Sequence, residues 1–312
     1  MEQTRVTAAA RPRLPEWLKV PMPGGPRYIE LQNLMRSQAL HTVCEEAHCP
    51  NIGECWDRGT ATFMILGDIC TRRCHYCAVT TGRPLGIDLQ EPGRLADTVK
   101  AMGLRYCVIT SVNRDDLSDG GAFIFASCIK KIRSQVPGCR VEVLIPDFAG
   151  SWPALKKVID VRPDVLNHNI ESPKRVFPKV RPKGDYRLSL DLLAQAKELD
   201  PATVTKSGII VGMGETTDEL VETMQDLRGV DCDLLTIGQY LRPSAKHLPV
   251  DRFYTPAEFD ELGAIGRKLG FKHVASGPLV RSSYHADEQH DAAYATSALA
   301  GGSELPTRST CQ

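Results

Sequence analysis

Two groups of three cysteines carry the first chemical signal. Residues 67–84 read GDICTRRCHYCAVTTGRP and place Cys70, Cys74 and Cys77 in a C-x3-C-x2-C spacing. Upstream, CEEAHCPNIGEC places Cys44, Cys49 and Cys55 in a C-x4-C-x5-C spacing. The chain has 11 cysteines, and these six all fall between residues 44 and 77. Three thiolates on one tight loop can hold three corners of a four-iron cubane and leave the fourth iron open for chemistry. Structural zinc is the competing reading, but such sites usually close on two paired knuckles, and no second knuckle follows Cys77 at a suitable distance. A disulfide framework is the other. A chain of 312 residues buries roughly three quarters of its unfolded surface and needs no staple. The crowding therefore reads as metal ligation in a reducing compartment.

Charge narrows the class further. Lys plus Arg and Asp plus Glu are each 38, so the balance points to neither nucleic acid nor a membrane surface. No apolar run approaches the ~20 residues of a membrane span. The N-terminal MEQTRVTAAARPRLPEW lacks the apolar centre of a secretory signal and reads as a disordered tail on a cytoplasmic protein.

The elements that must position the cysteines begin near residue 62. Apolar β-type runs recur as TFMILGDI (62–69), YCVITS (106–111), VEVLIP (141–146), DVLNHNI (164–170), TKSGIIVG (205–212) and LLTIGQY (234–240). Between them, AFIFASCIKKIRSQV, LSLDLLAQAKEL and ELVETMQDL repeat apolar residues at helical spacing. Buried strands alternating with amphipathic helices make a parallel sheet. Each strand ends in polar or glycine residues, as in GDIC, TSVNRDD, NHNIES, GMGE and GQYLRPS. Barrel enzymes carry their sites at such strand ends. The fold class expected is α/β, a partial (β/α)6 barrel with N- and C-terminal extensions closing over its mouth. A doubly wound sheet is the alternative, though no G-x-G-x-x-G follows the first strand. The extensions divide the chain into an N-terminal part with the first cysteines (1–58), the barrel (59–276) and a tail (277–312). A helix (AEFDELGAIGRKLG) and a short strand (KHVASG) close the barrel part, and the last twenty or so residues, small and polar, are expected to be disordered.

C-x3-C-x2-C directly after a first barrel strand resembles the radical S-adenosylmethionine (SAM) superfamily. That resemblance implies that SAM occupies the open iron. GIIVGMGE (208–215) matches the superfamily's G-x-I-x-G-x-x-E pattern through Gly208, Ile210, Gly212 and Glu215, and Tyr76 matches its aromatic position before the last cysteine. The superfamily's Gly-Gly-Glu after the second strand is replaced by ITSVNRDD. Ser111 or Asn113 would then bind the SAM amino group, unless another strand does. Glu171, at the end of the fourth strand, is a candidate for the ribose or amino group, against a plain salt bridge on the barrel rim.

CEEAHCPNIGECW, GDICTRRCHYCAV, TSVNRDDLSDGGA, NHNIES and the terminal RSSYHA together resemble the lipoyl synthase family, from about Leu14 to about Asp287. The resemblance implies two 4Fe-4S clusters. Cys70, Cys74 and Cys77 would hold the catalytic one. Cys44, Cys49 and Cys55 would hold an auxiliary one whose fourth ligand is Ser283, with Ser282 the runner-up. A hydroxyl is a weak ligand beside thiolates, which suits a cluster that is to be dismantled. The implied reaction inserts two sulfur atoms, supplied by the auxiliary cluster, at C6 and C8 of a protein-bound octanoyl-lysine. These carbons are unactivated, so the cofactor must supply a radical. Implied partners are octanoylated lipoyl-carrier domains (a 2-oxoacid dehydrogenase acyltransferase subunit, the glycine-cleavage carrier protein), a low-potential electron donor such as ferredoxin or flavodoxin, and an iron–sulfur carrier. Asn113, Arg114, Asp115 and Asp116 are candidates for positioning SAM or substrate, or for capping the next helix. Gln239, Tyr240 and Arg242 are candidates for the substrate side. His41, His48, His247 and His285 could donate to cluster sulfurs or be ordinary loop residues. The competing functions are another radical SAM sulfur enzyme, such as a methylthiotransferase or a biotin-synthase-like enzyme, and a cluster carrier that needs no SAM.

Overall fold

The structure, a computed structural model, describes residues 13–20, 24–38, 40–46, 49–57 and 60–301. Residues 1–12 of the expected tail, His48, and residues 302–312 lie outside the described residues.

An N-terminal layer comes first, with α1 (Pro26–Ser37), β1 (His41–Thr42), α2 (Val43–Glu46) and α3 (Ile52–Asp57). β2 (Thr60–Ile65) opens the barrel, followed by a ribbon of β3 (Ile69–Cys70) and β4 (Thr80–Thr81). The βα rhythm continues through α4 (Glu91–Ala101), β5 (Tyr106–Ser111), α5 (Ala122–Gln135), β6 (Arg140–Leu144), α6 (Trp152–Ile159) and β7 (Val165–Asn167). It ends with α7 (Phe177–Val180), α8 (Tyr186–Leu199), β8 (Thr205–Val211), α9 (Thr217–Gly229), β9 (Leu234–Gln239), α10 (Pro256–Lys268), β10 (His273–Gly277) and α11 (Ala286–Gly301).

The large sheet runs β1-β2-β5-β6-β7-β8-β9-β10, parallel throughout except for antiparallel β1 at one edge. Every new strand from β5 onward joins beside its predecessor. A doubly wound sheet reverses direction at a switch point, and this one does not. Right-handed crossovers in one direction put the helices on one face, where α4 packs on α5, α5 on α6 and α6 on α8. The sheet curls into an open barrel whose outer strands, β1 and β10, do not pair with each other among the described residues. The six expected strands all form, and His273–Gly277 joins them as a seventh parallel strand. α4 and α6, which the periodic reading did not mark, fill the remaining crossovers.

Two local departures shape the site. The expected run 62–69 breaks after Ile65, because Leu66 (φ 69°) and Gly67 (φ 87°) turn the chain out of the sheet. The Leu66 N–H donates to buried Glu91 Oε2 at 3.0 Å, and Arg114 Nη1 donates to the Leu66 carbonyl at 3.2 Å. Gly121 packs so closely that a Cβ would lie 2.2 Å from Leu66 Cδ1. This turn throws Cys70 over the barrel mouth. The second departure is at the tail: disorder is expected over its last twenty or so residues, but the described ones among them, up to residue 301, continue as helix α11. Alanine recurs along that stretch and favours a helix despite its polarity. α11 packs on β10 and β5.

The barrel interior below the site holds a polar network centred on the Glu142 carboxylate. Lys206 Nζ donates to Glu142 Oε1 at 3.0 Å and Oε2 at 3.2 Å, while Tyr106 Oη (2.9 Å) and Asn167 Nδ2 (3.0 Å) donate to the same carboxylate. A buried ion pair offsets its desolvation only with such extra bonds.

Candidate active site

At the C-terminal ends of the strands lies a cavity of about 370 Å³ whose wall includes Cys44, Cys49, Cys70, Cys74, Cys77, Ser282 and Ser283. The fold thus brings members of both cysteine groups and the RSSY segment to one space. Cys55 does not line it, but it lies near enough to Cys44 to act on that thiol's titration. Among the described residues, no three Cys, His, Asp or Glu side chains close on one point as ligands of a single ion would.

The 70–77 loop is held by the barrel. Cys70 Sγ accepts backbone N–H bonds from Arg72 (3.4 Å) and Asn113 (3.3 Å). Arg72, buried, forks onto Asp115 through Nε (2.8 Å) and Nη2 (2.7 Å), and its Nη2 also reaches Asp147 Oδ1 at 2.7 Å. Burial pushes the Asp147 carboxyl up, but the Arg72 bonds outweigh it and hold it below the usual carboxylate range. The His75 N–H donates to Val180 O (2.9 Å), the Leu248 N–H donates to His75 O (3.0 Å), and His247 Nε2 contacts Cys77 O at 3.0 Å.

Burial is the first cause that pushes Cys77 up to about 12 and Cys74 up to about 11, and it raises Cys44 and Cys49 as well. Thiols this deep are protonated at neutral pH and make poor nucleophiles. They suit the role of ligands, in which a metal centre replaces the proton.

The N-terminal group is fastened by the other end of the chain. Asn51 Nδ2 donates to Leu279 O at 2.7 Å, Tyr284 Oη to Glu54 Oε2 at 3.1 Å, and His285 Nε2 lies 2.9 Å from Glu54 Oε1. A Cβ on Gly238 would sit 2.1 Å from Val280 O, so glycine there lets the tail cross the barrel mouth. Arg281 then stands beside Cys49, its pKa lowered by burial and opposed by that thiol. Ser282 is engaged: Asn169 Nδ2 donates to its Oγ at 2.8 Å. The Ser283 hydroxyl has no hydrogen-bond partner among the described residues.

The residues expected around SAM separate into two sets. Tyr76, Ser111, Asn113, Glu171, Gly208 and Ile210 line the cavity; Gly212 does not. Gly212 (φ 100°) is packed against Gln239, and its N–H and that of Met213 donate to the Glu215 carboxylate at 2.5 Å and 2.9 Å. The Gly212–Glu215 half of the pattern thus builds a turn rather than a wall of the cavity. Glu171 is buried with φ 70°, a costly conformation for a non-glycine residue and one that gathers at functional sites. Burial raises its pKa against the opposing Arg181 and hydrogen bonds from Tyr76 and Asn169. Ser111 Oγ is buried with no hydrogen-bond partner among the described residues. Gln239 Nε2 is spent on Val211, Tyr240 and Arg252 carbonyls, Tyr240 Oη on Leu248 O, and Arg242 on Ala245 and His247 carbonyls. Arg114 pairs with Asp116 and Asp115 with Arg72, so both act on the loop's frame.

Several wall residues carry no sequence signal of their own. His168 is buried, and its Nδ1 lies 2.9 Å from Ile145 O, so Nδ1 carries the proton and Nε2 is left as a partnerless acceptor. Burial, with Arg181 adding to it, lowers its pKa to about 4. Arg72, Arg181 and Arg281 on the wall, and Asp147 behind Arg72, are likewise isolated charges that only the tertiary fold gathers.

The radical SAM superfamily model matches residues 64–227, and the N-terminal domain of lipoyl synthase matches residues 1–49. The lipoyl synthase of Rubrobacter xylanophilus is 62% identical over 88% of this chain and 86% of its own length. The chain belongs to the lipoyl synthase family. A lipoyl synthase of Symbiobacterium thermophilum is 59% identical over 93% of this chain and 90% of that protein. The crystal structure of HydG, a maturase of FeFe-hydrogenase, shares the fold at TM-score 0.54 and 17% identity over 67% of this chain and 49% of that chain. Membership in lipoyl synthase and the radical SAM superfamily makes SAM and iron–sulfur clusters its cofactors. The zinc, carrier and methylthiotransferase readings fall with that assignment.

The donor set fits these cofactors. Clustered thiols suit iron–sulfur ligation, and buried Ser111 Oγ and His168 Nε2, both without partners, suit a polar small molecule held in the same cavity.

Proposed function

We propose that this lipoyl synthase holds two 4Fe-4S clusters, one on Cys70, Cys74 and Cys77 and one on Cys44, Cys49, Cys55 and Ser283. The observation that supports two is the entry of members of both cysteine groups into one cavity, together with Ser283, whose hydroxyl has no hydrogen-bond partner among the described residues. Bound there, the clusters and SAM would supply radical hydrogen abstraction and sulfur for C6 and C8 of an octanoyl chain.

The chain's own task is to bind, orient and keep water out. Glu171, with Tyr76 and Asn169 donating to it, presents a carboxyl to the SAM side, and Ser111, Asn113 and His168 offer further polar atoms. Gly208 and Ile210 shape the adenosyl side, and Gly212 acts one step removed through its turn. Met64, Val79, Leu144 and Ile145 are among the apolar residues of the wall, which suits an octanoyl chain and excludes water.

The substrates are lipoyl-carrier domains, and we assign the acyltransferase subunit of 2-oxoacid dehydrogenases and the glycine-cleavage carrier as the specific ones. A ferredoxin or flavodoxin would supply electrons and an iron–sulfur carrier would renew the second cluster. Residues 1–58, 59–276 and 277–312 act as auxiliary layer, barrel and closing tail. Among the described residues, no helix is long and apolar enough to cross a membrane; ten cysteines form no disulfide there, which supports a reducing cytoplasm. The test is mass spectrometry of an octanoylated carrier domain after anoxic incubation with SAM and reductant. Two sulfur atoms added per octanoyl group support the reading, and an unchanged chain overturns it.

A further inference from the structure

Charge is distributed unevenly around the 70–77 loop. Residues 69–87, 172–184 and 240–250 contain no Asp or Glu although the chain has 38, and they hold ten of its 38 Lys and Arg. The fold ties these stretches together: His75 N–H donates to Val180 O at 2.9 Å, His75 Nδ1 lies 2.8 Å from Lys179 O, and Leu248 N–H donates to His75 O at 3.0 Å. Of the ten, Arg72 and Arg181 are buried, Arg175 pairs with Glu219, and exposed Arg83 lies near enough to Asp116 to act on its carboxylate. Arg73, Lys174, Lys179, Lys183, Arg242 and Lys246 are exposed, and none forms a salt bridge among the described residues. None of these six lines the cavity. Arg73 lies on the loop, and Lys179, Lys183, Arg242 and Lys246 lie on the stretches bonded to it, whereas Lys174 stands apart beside Glu219 and Glu222.

We propose that this basic face is the docking surface for an acidic one-electron donor protein, one carrying a low-potential flavin or iron–sulfur centre. The inference rests on the radical SAM reading of Cys70, Cys74 and Cys77. An octanoyl arm must enter the cavity, whereas an electron has only to cross the exposed His75 turn. One electron leaves the donor's reduced centre and enters the cluster beneath the loop, and no bond forms between the two proteins. Charge complementarity of this kind sets association and its salt dependence.

The test compares the wild type, Arg73→Glu/Lys179→Glu/Lys246→Glu, and a control reversed on exposed α5 residues, Lys130→Glu/Lys131→Glu. Binding of a purified acidic flavodoxin is followed by titration calorimetry across a salt series. SAM cleavage is followed with that flavodoxin or with dithionite as reductant. The proposal expects binding weakened about tenfold or more in the triple variant, with a flattened salt dependence, and flavodoxin-driven cleavage lost while dithionite-driven cleavage is kept. Unchanged binding, or equal weakening in the control, overturns it. So does a triple variant that keeps flavodoxin binding but no longer binds the octanoylated carrier. A wild type that cannot cleave SAM even with dithionite would overturn the radical SAM reading instead, and the binding titration still decides the surface.

Discussion

Cys70, Cys74 and Cys77 sit on a loop that the barrel grips from several sides, while Cys44, Cys49 and Cys55 sit in a layer fastened by the far end of the chain. The first loop is locked by the Arg72 fork, by backbone bonds to Cys70 Sγ and by the 177–183 and 244–248 segments. The second is joined to the tail by three contacts, Asn51–Leu279, Glu54–Tyr284 and Glu54–His285, and the two at Glu54 are exposed to solvent. A charged, buried clamp holds a fixed geometry, whereas neutral and solvent-facing bonds across chain ends open at lower cost. The difference is in keeping with the proposal of a retained cluster on Cys70, Cys74 and Cys77 and a sulfur source, spent and renewed, on the other group.

Cysteine substitution separates the two regions most sharply. Cys74→Ala should abolish SAM cleavage and sulfur insertion together. Cys49→Ala should abolish sulfur insertion alone, with 5′-deoxyadenosine still formed in a chromatographic assay.

Removing one partner of the clamp comes next. Asp147→Asn leaves Arg72 half-paired in a buried site and should cost about 3–5 kcal/mol of stability, read by anoxic denaturant unfolding. Loss of under 1 kcal/mol would mean the loop does not depend on the fork.

His168 gives the barrel wall a pH signature. Its ordinary pKa of 6.5 is lowered to about 4 in the fold. The unfolded chain takes the proton first, so stability present above pH 6.5 drains as pH falls toward 4, by roughly 3 kcal/mol in all. His168→Gln should flatten that part of the stability curve.

The smallest effect is expected at the tail. Asn51→Ala should cost about 1 kcal/mol and lower the iron bound by the N-terminal group without touching SAM cleavage. Ser283→Ala should share that pattern, and Ser282→Ala should leave bound iron at the wild-type level, since its hydroxyl is engaged by Asn169.

The sequence shows these regions to different depths. Both cysteine triplets are legible because spacing on a short loop survives without tertiary structure. The six strands are legible because burial on both faces demands continuous apolar runs. Arg72 and Asp147 stand 75 residues apart, and neither position has a pattern that could announce the other. His168 looks like any polar residue at a strand end until the fold closes over it. Gly212 shows the reverse limit: the motif that contains it is visible, but only the packing of Gln239 shows that it serves a turn. The helix at 286–301 was hidden by polarity, which masked a high alanine content.

The measurement that bears most directly on the two-region account is iron and acid-labile sulfide per chain after anoxic reconstitution. It compares the wild type with Cys44→Ala/Cys49→Ala/Cys55→Ala. Two cubanes predict about eight irons falling to about four, with SAM cleavage retained in the variant. About four irons in both proteins would contradict it, leaving one cluster and no resident source of sulfur.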